Sequence, residues 1–218
     1  MRLPRLYAIA DVGVLAARGI ELRAFAEGLR GGGVSLVQLR DKNGSPQDVL
    51  AGAAILREVF GRDCLLIMND RADLAVLAGF DGVHVGQGDL GVGDVRAVLE
   101  RRQYKGHGGF TEGHKGTVGV STHSVEQVLG AGDADYVAVG PVFATGTKLD
   151  AEPVVGLEGV RRARALTARP LVAIGGITRQ NCRSVIEAGA DSVAVISGLI
   201  VPGETVEKVA RDFLAILG

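Results

Sequence analysis

The chain has 218 residues, 47% of them apolar and 22% charged, with a formal net charge of −1. That composition excludes intrinsic disorder. A charge so close to zero offers no general surface for neutralising a nucleic-acid backbone, so nucleic acid is not an expected partner and any anion must bind at a local site.

The N-terminal MRLPRLYAIAD is too short in its apolar part for a signal peptide, and no apolar run approaches membrane-spanning length. A cytoplasmic protein without a membrane partner is expected. Short apolar, β-branched runs then follow in order: LYAIA at 6–10, SLVQLR at 35–40, CLLIMN at 64–69, GVHVG at 82–86, TVGVS at 117–121, YVAVG at 136–140, LVAIGG at 171–176 and SVAVIS at 192–197. Segments of helical spacing lie between them, such as Ala72-Leu74-Ala75-Ala78 and Val185-Ile186-Ala188. Nearly continuous apolar strands suit a parallel sheet covered on both faces. Eight such β-then-α units predict an α/β fold, a (β/α)8 TIM barrel. No linker or change of composition divides residues 1–218, so one domain is expected. AGFDGVHVG, AGDADYVAVG and AGADSVAVIS repeat one pattern of helix end, Gly turn, Asp and strand, with a glycine suited to a helix C-cap. The two cysteines, Cys64 and Cys182, lack metal-site spacing and are read as buried, inert thiols.

Active sites of such barrels stand at the C-terminal strand ends. Gln38, Arg40 and Lys42 alternate at the second run and so share a face. Asn69 and Asp70 end the third run, and Asp89 follows the fourth. Ser121 ends the fifth, with His123 close by. The sixth leads into the hydroxyl-rich loop Thr145-Gly146-Thr147-Lys148. Arg40, Lys42 and Lys148 would repel one another as uncompensated cations unless an anion joined them, and phosphates suit Arg forks and Lys point charges. Two carboxylates facing a polyanion make sense with a hard cation between, which points to a diphosphate with Mg2+. Taken singly, Asp70 and Asp89 read as helix caps, Arg40 and Lys42 as a solvated strand exit, and His84 as a satisfied core histidine. No third partner completes a Ser121–His123 triad; Thr122 or Ser124 reads instead as a helix cap. Gly175-Gly176 and Ser197-Gly198 fit a second phosphate cradle made of backbone N–H groups and a helix N-terminus. The polar, glycine-rich stretch at 101–117 connects a helix over 92–102 to the fifth strand and is expected at the barrel face away from the chemistry.

In order and spacing, QLRDK, MND, GVHVGQGD, GVSTH, GPVFATGTK, GLEGV, AIGGI and AGAD-SVAVIS resemble the thiamine-phosphate synthase family across nearly the whole chain. The resemblance implies a Mg2+-dependent transferase that joins 4-amino-2-methyl-5-hydroxymethylpyrimidine diphosphate to thiazole monophosphate by a dissociative route. It implies that Gln38, Arg40, Lys42, Asn69 and Lys148 contact the diphosphate and that Asp70 and Asp89 hold Mg2+. Ser121 would contact the pyrimidine diphosphate, and Thr145, Thr147, Gly176, Ile196 and Ser197 would position the thiazole phosphate. Lys148, Ser121, Arg40 and Lys42 would carry catalysis. Gly88, Gly146 and Ala10 before Asp11 depart from the family pattern. The paralogous thiazole tautomerase, a phosphosugar epimerase and a non-catalytic phosphate-binding barrel stay open as alternatives, as does homo-oligomerisation.

Overall fold

The computed structural model describes residues 2–101, 116–146 and 153–218. Thr147, Lys148 and most of the 101–117 stretch therefore lie outside the described residues. Eight strands run Leu6–Asp11 (β1), Leu36–Arg40 (β2), Leu65–Asn69 (β3), Gly82–Val85 (β4), Thr117–Thr122 (β5), Tyr136–Val139 (β6), Leu171–Ile174 (β7) and Ser192–Val195 (β8). Each pairs in parallel with the next, and β8 closes on β1 through Leu6 opposite Val193. The expected barrel is present. Described helices are α1 (Val12–Ala17), α2 (Leu22–Gly31), α3 (Pro46–Phe60), α4 (Ala72–Ala78), α5 (Val92–Arg101), α6 (Val125–Leu129), α7 (Gly156–Leu166), α8 (Cys182–Glu187) and α9 (Val206–Leu217). Among the described residues no helix is long and apolar enough to cross a membrane.

Successive strand side chains face opposite ways, and this splits the core in two. One set, including Leu66, Met68, Val83, Val137, Ala173 and Val193, points out and packs with helical residues such as Phe25, Leu56 and Phe213. The other, including Tyr7, Ile67, Tyr136, Val172 and Ala194, fills the barrel. Each fully buried Leu, Val or Phe contributes about 1.5–3 kcal/mol, so burial on both faces stabilises the closed sheet.

The repeated Gly-turn-Asp pattern has a shared physical task. Asp81, Asp135 and Asp191 immediately precede β4, β6 and β8. Their carboxylates accept from the backbone N–H of Leu66, Val118 and Leu171 on the preceding strand at 2.8, 2.7 and 2.8 Å. Each also pairs with an arginine of an earlier helix: Arg57 at 3.3 Å, Arg96 at 2.6 Å and Arg164 at 2.8 Å. The device ties strand, strand and helix together at the barrel's N-terminal face. Local signals delimit the helices between. Ser45 and Asp48 form a reciprocal capping box with Pro46 opening α3, and Gly79 closes α4 at φ +71°.

Candidate active site

The inward set turns polar toward the C-terminal end. Gln38, Arg40, Asn69, His84 and Ser121 line one cavity there together with Ile196. The pleat explains Gln38 and Arg40: positions two apart on β2 share the inner face. Arg40 is not the uncompensated cation that its sequence position suggests. Asp11, 5% exposed at the end of β1, binds its Nη1 while also accepting from Val14 N at 3.0 Å to cap α1. A capped carboxylate thus fixes one edge of the guanidinium and leaves its other donors for a ligand.

Lys42, half-exposed beyond β2, is compensated too: its Nζ lies 2.6 Å from Asp70 Oδ2. Asp70 is not the helix cap that a single-residue reading favours; Arg71 holds that position at α4. Asp70 takes φ +61°, the left-handed region, where its N–H donates to the His84 carbonyl at 2.8 Å. Asp89 Oδ2 accepts from Gly86 N at 2.8 Å and so closes the turn after β4. Burial raises the Asp70 carboxyl above its ordinary range; the Lys42 ammonium pulls it down, and the nearby Asp89 carboxylate pushes it up. Two carboxylates this close, one of them partly buried, are a pair suited to a hard cation. Among the described residues no group of three or more His, Cys, Asp or Glu stands together as a larger metal cage.

A second pocket of about 190 Å³ adjoins the first, with Ser121 in both walls. Thr145, Gly175, Gly176, Ile196, Ser197 and Gly198 line it. Gly175 and Gly176 sit at φ +102° and +64°, and a Cβ there would come within 2.5 Å of Pro141 and 2.6 Å of the Ala144 carbonyl. Glycine is therefore required for β7 to turn tightly against the loop after β6, and its bare backbone faces the pocket. The expected helix N-terminus is not at Gly176, since α8 starts at Cys182; a single 3-10 turn, Ser197–Leu199, follows β8. His123 also lines this pocket, with Nδ1 2.6 Å from the Gly140 carbonyl. Ser124, not Thr122, caps α6.

Ser121 does not pair with His123. Its Oγ lies 2.9 Å from His84 Nε2, and His84 Nδ1 lies 2.9 Å from the Tyr136 hydroxyl. Tyr136 meets Tyr7 at 3.0 Å, and Gln38 Nε2 donates to Tyr7 at 2.8 Å. His84 is thus a satisfied inward histidine, as expected, within a polar chain that the sequence does not announce. Asp11, Tyr7 and Tyr136 are the parts of the site that sequence reasoning did not assign. Asp11 was legible as a polar residue at a strand exit; the tyrosines sit mid-strand and carry no local signal. Cys64 plays no chemical part: burial pushes its thiol up to about 12 and keeps it protonated.

A family model described as thiamine monophosphate synthase matches residues 6–199. A thiamine-phosphate synthase of Koribacter versatilis is 48% identical over 100% of this chain and 97% of its own length. One from Chloroflexus aurantiacus is 39% identical, covering 98% of this chain and 92% of its own. The solved thiamine phosphate pyrophosphorylase from Pyrococcus furiosus superposes with a TM-score of 0.79 at 30% identity, covering 98% of this chain and 95% of that one.

Proposed function

The chain belongs to the thiamine monophosphate synthase family, and from that premise we propose that it joins 4-amino-2-methyl-5-hydroxymethylpyrimidine diphosphate to thiazole monophosphate, giving thiamine phosphate and diphosphate. The observation that carries this reading is the rim made by Lys42, Asp70 and Asp89 beside Arg40 and Asn69. Cations and paired carboxylates at one mouth suit a metal-bound diphosphate, and an isomerase acting on a monophosphate has no diphosphate to hold.

Asp70 and Asp89 are the residues fitted to hold Mg2+, which when bound neutralises charge on a leaving diphosphate. Arg40, braced by Asp11, and Lys42, released from Asp70, bind phosphate oxygens. In the proposed dissociative route the methylene C–O bond breaks and its electron pair leaves with diphosphate. The thiazole nitrogen then donates its lone pair to the methylene carbon, forming the C–N bond. The adjoining pocket, with Gly176, Ile196 and Ser197 in its wall, holds the thiazole phosphate so that this nitrogen faces the carbon. By family resemblance Thr145 and Thr147 position the thiazole phosphate and Lys148 contacts the diphosphate, where an ammonium offsets charge on the leaving group.

Calorimetric titration with inorganic diphosphate tests the rim. Binding is expected to need Mg2+ and to weaken about tenfold or more in Asp70→Asn, a loss of ~1.4 kcal/mol or greater. Equal binding with and without Mg2+ in both proteins would remove the metal from the reading.

A further inference from the structure

We infer that Tyr7, Tyr136 and His84 form a hydrogen-bond chain of fixed direction that makes the Ser121 hydroxyl a donor toward the ligand, rather than a nucleophile or an acceptor. The direction is independent of the reaction; the identity of the ligand rests on the function proposed above.

The chain is polarised from one end. Gln38 Nε2 carries only hydrogens and donates to the Tyr7 oxygen at 2.8 Å. Burial raises the pKa of both tyrosines, so each keeps one proton to give. Among the described residues the remaining partner of the Tyr7 hydroxyl is Tyr136 at 3.0 Å, so Tyr7 donates to Tyr136. Tyr136 must then donate to His84 Nδ1 at 2.9 Å. With Nδ1 accepting, the neutral imidazole carries its hydrogen on Nε2 and donates it to Ser121 Oγ at 2.9 Å. The hydroxyl proton of Ser121 is thereby turned away from His84 and toward the cavity. His84 cannot act as a base toward Ser121 while the chain stands. Gln38, with Nε2 engaged, offers its carbonyl to the same cavity. A donor and an acceptor so placed fit a heteroaromatic ring that carries a bare ring nitrogen and an exocyclic amine.

The packing holds the chain in place. The Tyr136 ring stacks on His84 with planes 22° apart and meets Tyr7 edge-on at 76°. Gly119 makes room for it, because a Cβ there would lie 1.9 Å from Tyr136 Cζ. Tyr7, Tyr136 and His84 are therefore positioning residues that act through Gln38 and Ser121.

Nitrogen-15 NMR of the His84 imidazole in the unliganded wild-type protein tests the direction without any variant. The expected result is hydrogen on Nε2 and a bare Nδ1. Hydrogen on Nδ1 would mean that the chain runs the other way, with Ser121 donating to His84, and would overturn the inference. Tyr136→Phe removes one oxygen and breaks the chain. It is expected to raise KM for the pyrimidine diphosphate about threefold to tenfold, the size of one hydrogen bond, with kcat changed less. Combined with Ser121→Ala it should add less than it costs in the wild type, leaving only the part that acts through Gln38; full additivity would overturn the inference. A wild-type protein that makes no thiamine phosphate sinks the functional reading, while the NMR result still decides the direction.

Discussion

Asp70 holds a left-handed backbone angle that costs a non-glycine residue about 1–2 kcal/mol, and it does so beside a second carboxylate. Strain and like-charge proximity in one residue are explained if a cation reunites the pair. Asn tolerates the same angle, so Asp70→Asn and Asp89→Asn should keep a normal thermal melt. Each should lower transfer about a hundredfold or more at limiting Mg2+, since electrophilic assistance amounts to several kcal/mol and ~1.4 kcal/mol is tenfold. Added Mg2+ should restore part of the rate. A near-normal rate at limiting Mg2+ in either variant would mean that these carboxylates do not bind the metal. At this scale the sequence was legible where a residue stands at a strand exit and shares its face by the two-residue period: Gln38, Arg40, Asn69 and Ser121 meet in one cavity. It was not legible where partners meet across the barrel. Tyr7 and Tyr136 lie 129 positions apart, and their contact depends on closure of the sheet and on the missing side chain at Gly119.

At the level of elements, the repeated aspartates are a joint between neighbouring units at the face away from the site. Asp135 binds Val118 N and Arg96, so Asp135→Ala leaves a strand N–H without its acceptor. The expected cost is about 1–3 kcal/mol in denaturant unfolding with the transfer rate unchanged. A lowered rate in the still-folded variant would show that this face communicates with the site. The repeat was visible in the sequence; its bond to the preceding strand was not, because that requires the parallel register. Helix α9 is held to the loop after β7 by another cluster, in which Arg179 binds Glu204 and Asp212, and Lys208 binds both carboxylates. Hydrogen bonds from Arg179 and then Lys208 hold Glu204 down to about 2 from an ordinary 4.5. A depressed acid stabilises the fold above its unfolded value and loses that contribution as pH falls through its folded one. The stability difference between wild type and Arg179→Ala should therefore be constant above about pH 5 and fade between roughly 4.5 and 2. A difference that persists undiminished at pH 2 would show that the cluster acts through packing instead.

For the molecule as a whole, eight apolar runs carried the barrel, because a parallel sheet buried on both faces leaves nearly unbroken apolar stretches in the chain. Their ends were less legible. The seventh apolar run extends through Gly176, yet β7 stops at Ile174 because both glycines take positive φ; the eighth extends through Ser197, yet β8 stops at Val195. Those lost residues are not errors of fold. They are where backbone leaves the sheet to line a pocket, so the overrun falls on the site itself. Most of the constellation is thus visible as residue types at strand exits, whereas the contact between Tyr7 and Tyr136 emerges only when the strands close into a ring. The assembled site makes one central claim, that two substrates are joined here with loss of diphosphate. The most direct measurement mixes the purified protein with the pyrimidine diphosphate, thiazole monophosphate and Mg2+, and follows thiamine phosphate and diphosphate together. The two products should appear in equal amounts, and only when both substrates and the metal are present. Conversion of the thiazole phosphate alone, or no product with both substrates bound, would contradict it.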